Sequence, residues 1–147
     1  MPRFILQEFR THRIGVSYSV ESSRFTLKKK LRNETYISCI EPDIERISKY
    51  IYLSGIAEID VKNVIRLENL REMVIENKYP NDKLKMLLPE VFLCVVRVSY
   101  NITSLRHFLK LRTGKDAHYL IRELAFMMYD SLPQEYKFLF KDVIGER

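Results

Sequence analysis

The period of the hydrophobic positions changes several times along the chain, and each change marks an element. Residues 2–10 carry Phe4, Ile5, Leu6 and Phe9 behind Pro2, which fits a short helix opened by proline in its first turn. From Val16 the period drops to two, with Val16, Tyr18 and Val20 alternating with Ser17, Ser19 and Glu21 as in a half-buried strand. The KKKLR run at 28–32 reads as a solvated turn or loop. Pro42-Asp43 opens a helix in which Ile44, Ile47 and Ile51 recur at helical spacing, and Gly55 interrupts it. A second helix, from about Val61 to Asn77, buries Val64, Leu67, Leu70 and Val74 and is stopped by the turn YPND at 79–82. A short helical piece from Lys83 to Leu88 ends at Pro89, and residues 91–100 read as a strand.

Asn101 has the side chain of an N-cap for a helix carrying Leu105, Phe108, Leu109 and Leu111, which Gly114 closes. Asp116 would cap the next helix, with Ala117, Leu120, Ile121 and Leu124 on one face, and a last short helix follows Pro133. Strands and helices mix without regular βαβ alternation, so the expected class is α+β. No repeat or Gly/Ser-rich linker divides residues 1–147, which are expected to form a single domain.

Composition adds little to the fold but constrains the partners. The 147 residues include 25 Lys+Arg against 19 Asp+Glu, a net charge of +6 that favours anionic partners without choosing among nucleic acid, membrane surface and phosphate-bearing small molecules. The two cysteines, Cys39 and Cys94, form no close metal-binding pair, and Cys94 lies in the apolar run VFLCVV, where a buried, inert thiol is expected. Such usage suits a reducing, cytoplasmic compartment. That six-residue run is far short of the ~20 residues that span a bilayer, and the first ten residues lack the apolar centre of a signal peptide.

The motifs of common catalytic sites are missing: there is no P-loop, GxGxxG, HExxH or nucleophile elbow. His12, His107 and His118 are dispersed, with no Cys or carboxylate spacing to support a metal site. Two segments stand out. Residues 11–25, THRIGVSYSVESSRF, place His12 and Arg13 after the first helix and Ser22, Ser23 and Arg24 after the strand. Hydroxyls beside a guanidinium suit a phosphate, although spacing alone favours a surface strand edge decorated with Ser and Arg. Residues 101–124 gather Arg106, His107, Lys110 and Arg112 on and around one helix, a basic face that either binds anions or is simply solvated. No interleaved aromatics or helix-turn-helix spacing mark it as a nucleic-acid helix, and no specific nucleic-acid partner is expected.

HRIGVSYSVESSRF resembles the Arg-His-Arg, seven-residue, Ser signature of the flavin-dependent thymidylate synthases. PNDKLKMLLPE followed by NITSLRHFLKLR is similar to that family's second block, and AHYLIRELAFMMYDSLP to its Ala-Gln-x-x-Ile-Arg helix. The resemblance covers nearly the whole chain. It implies reductive methylation of dUMP to dTMP with FAD as cofactor and NADPH and methylenetetrahydrofolate as co-substrates. It also implies active sites built between the subunits of a homotetramer. Carried over position by position, it implies that His12, Arg13, Asn101, His107 and Leu111 contact FAD. Glu8, Ser22, Arg24, Lys85 and Arg112 would bind dUMP, with Lys85 reaching it from a neighbouring subunit. Arg112 would meet the pyrimidine and help polarise it.

The departures carry expectations of their own. Thr11 stands where the signature has its first arginine, with Arg10 adjacent, and the spacing from His12 to Arg24 is one residue longer than usual. Thr103 stands for an arginine, at an expected cost of about 1.5–3 kcal/mol in flavin binding, and Asp116 for a histidine. The family carries a further region before the signature, so the expectation is either a truncated subunit or a split one for which a separate chain supplies that region. The alternatives are an inactive nucleotide-binding or oligomerising remnant, and a small basic nucleic-acid-binding protein whose affinity falls steeply with salt.

Overall fold

A computed structural model describes residues 1–32 and 44–147. Its elements are α1 (Arg3–Phe9), β1 (Val16–Val20), α2 (Ser23–Arg32), α3 (Ile44–Ile47), α4 (Ala57–Glu76), α5 (Asn81–Leu84), a 3-10 turn (Lys85–Leu87), β2 (Val96–Tyr100), α6 (Ile102–Arg112), α7 (Tyr119–Asp130) and a 3-10 segment (Gln134–Phe140). Helices with one small antiparallel sheet of β1 and β2 make the fold α+β, as the mixed periodicity predicts. Two compact units are present: residues 1–4 with 20–96, and residues 5–19 with 97–147.

The first unit is built on α4. Val64, Leu67, Leu70 and Val74 form its buried face, as their spacing predicts, and pack with Leu27 and Leu31 of α2, Ile47, Ile51, Leu84, Leu88 and Phe92. The KKKLR segment is helix, not loop. Leu27 and Leu31 sit one turn apart and bury completely, while Lys29, Lys30 and Arg32 lie in the last turn, where the helix dipole favours cations. The helix carrying Ile44 and Ile47 stops before Ile51. That residue instead bridges Phe92, with Tyr52 N–H donating to the Val91 carbonyl (2.9 Å) and Leu93 N–H to the Tyr50 carbonyl (2.7 Å). The Pro42-Asp43 opening and Cys39 lie outside the described residues.

Helix α4 starts at Ala57, four residues earlier than the apolar period suggests, because Asp60 in its first turn accepts hydrogen bonds from the Ser54 backbone (2.7 Å) and hydroxyl (2.8 Å) and from Gly55 N–H (3.0 Å). Its other end closes on Asn77 in the left-handed region. The YPND turn is shorter than expected, since Asn81 and Asp82 already belong to α5. The long strand expected over 91–100 is regular only from Val96; the segment before it bridges Pro2 and Ile51. Cys94 is half-buried, not buried, with its thiol 3.4 Å from the Met1 carbonyl, and burial pushes its ionisation upward.

The second unit buries Ile5, Phe9, Phe108, Leu109, Ile121, Ala125 and Phe140, most of them from α1, α6 and α7, with the Phe9 and Phe108 rings meeting edge-on at 5.4 Å. The predicted Asn101 cap is present, its side chain accepting the Ser104 N–H at 2.8 Å. Helix α7 is capped by His118, not Asp116: the His118 ring accepts from Leu120 N–H at 3.3 Å, and Ala117 falls in the preceding turn. The segment after Pro133 is 3-10 helix.

Candidate functional site

Within the second unit, the chain from Phe9 to Gly15 is fixed from several sides. The Tyr18 hydroxyl on β1 lies 2.8 Å from the Phe9 carbonyl and 2.9 Å from that of His12, so its proton is directed at the end of α1. The Tyr100 hydroxyl, 3.2 Å away on β2, then serves as donor to Tyr18; burial and this contact push its ionisation far upward and keep it protonated. Ser104 Oγ donates to the Ile14 carbonyl at 2.6 Å, and Asn101 N–H to the Gly15 carbonyl at 2.9 Å. Gly15 has φ +67°, and a Cβ there would run into the Asn101 side chain and the Ser104 hydroxyl.

These contacts hold His12 against α6. Its ring meets Phe108 edge-on at 5.1 Å and His107 at 5.9 Å. Arg112, at the end of the same helix, donates from Nε to His12 Nε2 (3.0 Å) and from Nη1 to Glu8 Oε1 (2.5 Å), with Thr11 Oγ1 a weak partner at 3.4 Å. Burial, then the positive charge of Arg112 and the neighbouring His107, lower the His12 pKa below its ordinary value, with Glu8 opposing them. His12, Arg13, His107, Leu111 and Arg112 line one cleft of about 670 Å³ together with Thr11, Ile14, Thr103 and Ser104. Its lining combines imidazole rings and aliphatic side chains with guanidinium and hydroxyl groups. Of the residues expected around it, Asn101 is a cap and does not line the cleft, and Glu8 is occupied by Arg112. A neighbouring cleft of about 540 Å³ is lined by Gln7, Arg10, Thr11, Arg13, Val16 and Tyr18.

Within the first unit, Ser22 immediately precedes α2, its carbonyl accepting from Thr26 N–H at 3.2 Å. Arg24 and Lys85 come from segments far apart in sequence and converge on one oxygen of Asp82, Arg24 Nε at 3.1 Å and Lys85 Nζ at 3.7 Å. Asn81 Nδ2 donates to the Arg24 carbonyl at 2.7 Å and fixes the start of that helix. A carboxylate oxygen therefore already marks a point where two cations meet, the geometry that an oxyanion would use.

Sequence reading missed Tyr18, Ser104 and Asp82 as organisers of these sites. The two-residue period put Tyr18 on the inner face of its strand, but its hydroxyl partners follow no local pattern. Asp82 lies three residues before Lys85, a helical spacing that was available in the sequence. No group of His, Cys, Asp and Glu among the described residues could hold a metal ion, and no helix there is long and apolar enough to cross a membrane.

Arginine, imidazole and hydroxyl groups thus meet in one cleft of an α+β fold. The sequence model of the family described as "Thymidylate synthase complementing protein" matches residues 1–136. The flavin-dependent thymidylate synthase of Helicobacter pylori is 34% identical over 144 residues, covering 98% of this chain and 69% of that protein. That of Campylobacter jejuni is 40% identical over 139 residues, covering 95% and 65%. A crystal structure of flavin-dependent thymidylate synthase ThyX from Helicobacter pylori, complexed with FAD and dUMP, superposes with a TM-score of 0.89 at 33% identity, over 99% of this chain and 70% of that one. The chain belongs to this family, the flavin-dependent thymidylate synthases, and spans about two thirds of the length of the relatives it matches.

Proposed function

We propose that this chain works in a flavin-dependent thymidylate synthase, converting dUMP to dTMP with methylenetetrahydrofolate as methylene donor. The single observation that carries the reading is Arg112, fixed on His12 in a cleft that His107 also lines, in a chain whose relative has been solved complexed with FAD and dUMP. The cleft fits a flavin by its lining: two ring edges and the Leu111 and Ile14 side chains suit an aromatic plane, while Arg13 and Thr103 supply donors for its polar rim. Bound FAD, once reduced by NADPH, supplies the hydride of the reaction.

The protein's part is binding, orientation and charge. Ser22 and Arg24 take the phosphate of dUMP, and Arg24 exchanges the carboxylate of Asp82 for phosphate oxygens. Lys85 serves the nucleotide of a neighbouring subunit in a homotetramer. Arg112 donates to a pyrimidine carbonyl and stabilises the negative charge that develops on it as the ring reacts. Glu8 stands behind Arg112 at the nucleotide. The enzyme is cytoplasmic in this reading, in keeping with its sparse cysteines.

The test is an FAD titration followed by absorbance and fluorescence, then dUMP addition, with Arg112→Ala beside the unaltered chain. Saturable flavin binding that responds to dUMP, and NADPH-dependent turnover that collapses in Arg112→Ala while the oligomer survives, are expected. Unchanged turnover in that variant refutes the role of Arg112. Retained dUMP binding without flavin binding would favour a nucleotide-binding remnant.

A further inference from the structure

Arg112 is held by groups 100 and 104 residues away in sequence, His12 and Glu8. Its Nε–H is a donor only, so His12 Nε2 must offer a lone pair to it across 3.0 Å. The ring is then neutral, with its proton on Nδ1. A second proton would remove the acceptor and place a cation against the guanidinium.

The two contacts meet different edges of the guanidinium, Nε by His12 and Nη1 by Glu8, and together they fix its plane as one contact would not. We propose that Glu8 and neutral His12 are positioning residues for Arg112: they aim its guanidinium at the cleft, and protonation of His12 releases it. The inference rests on the functional reading above only where it says that Arg112 meets the pyrimidine.

The groups that face His12 are Glu8 from α1, Arg112 and His107 from α6, and the Tyr18 hydroxyl on β1, which reaches its carbonyl. Burial, Arg112 and His107 outweigh Glu8, so the ring titrates below its ordinary value of 6.5. The arrangement is closed at neutral pH and opens on acidification.

Nitrogen-15 NMR of the full chain, titrated from pH 8 to 5, reads this directly. The expected result is an Nδ1–H tautomer for His12 and an Arg112 Nε–H signal that loses its protection with the midpoint of the His12 titration. His12→Gln keeps a neutral acceptor and removes the titration, so the Arg112 signal should persist through the acid range. An Nε2–H tautomer, or an Arg112 signal indifferent to His12, overturns the proposal.

Calorimetric dUMP binding over the same range adds the functional arm. Affinity should fall roughly tenfold along the His12 titration, beyond whatever fall His12→Gln also shows from the phosphate's own protonation. Equal pH curves in the two proteins sink the positioning role and leave the functional reading standing. Absence of dUMP binding at every pH sinks the functional reading, and the spectra alone then decide how Arg112 is held.

Discussion

Thr113, the residue after Arg112, is fully buried, and its hydroxyl joins α6 to the end of the chain. Oγ1 donates to the Leu109 carbonyl at 2.7 Å and accepts the Gly145 N–H at 2.8 Å. Thr113→Val keeps the shape and deletes both bonds. The Leu109 carbonyl still receives the Thr113 N–H at 2.9 Å, so it is not orphaned. Gly145 N–H, in contrast, loses its acceptor in a half-buried place, at a cost of about 1–3 kcal/mol. Thr113→Ser keeps both bonds and loses one methyl group, about 1 kcal/mol including the small void. The valine variant should therefore be the less stable of the two by urea unfolding. The amide of Gly145 should lose its hydrogen-exchange protection in valine and keep it in serine. If serine proves equal to or worse than valine, or Gly145 stays protected in valine, the hydroxyl bridge contributes nothing and packing alone holds the segment.

Two further outcomes can be stated from the loop that presents His12, and one from its titration. Asn101→Ala should cost about 1 kcal/mol through loss of the helix cap, read as a lower urea midpoint with an unchanged slope. Gly15→Ala should cost more than the roughly 1 kcal/mol of a left-handed alanine, because its Cβ also meets Asn101 and Ser104; a neutral result would mean that the loop yields freely. His12 has its folded pKa depressed below 6.5, so the unfolded chain binds more protons in the window beneath that value. Its contribution to stability is full above pH 6.5 and is lost as the pH falls through the folded value. Between pH 7.5 and 5.5 the wild type should thus lose more stability than His12→Gln, and parallel losses would contradict the shifted titration.

How much of this was readable in advance depended on whether a residue's partners lie nearby in sequence. The face of α4 was legible because Val64, Leu67, Leu70 and Val74 repeat at the helical period and all point into one core. The Asn101 cap was legible for the same reason: a short polar side chain three residues before its donor. The KKKLR segment was misread because a lysine run dominates the eye, while the decisive pair, Leu27 and Leu31, straddles its edge. Ile51 was misread because a bridge to Phe92, 41 positions later, overrides a period that locally favours helix. In the candidate site, motif resemblance supplied Arg112, His12 and Glu8 as separate names. It could not supply the hydrogen bonds among them, which cross 100 residues and exist only after the chain folds.

The charge balance shows what was hidden. A net +6 suggests open cationic surface waiting for an anion. Three cations of the candidate sites instead already meet carboxylates: Arg112 meets Glu8, and Arg24 and Lys85 share Asp82. Such carboxylates hold like-charged side chains together before any ligand arrives, at little cost where solvent still screens them. In the proposed reading, a phosphate that reaches Arg24 must exchange with Asp82, so part of its gain is spent on breaking an ion pair. Selectivity would follow from this exchange. A ligand with several correctly placed oxygens offers Arg24 more than the carboxylate does, whereas a simple anion offers little more than Asp82 already provides. The excess positive charge of the chain therefore says less about its ligand than the two acidic residues placed among the cations.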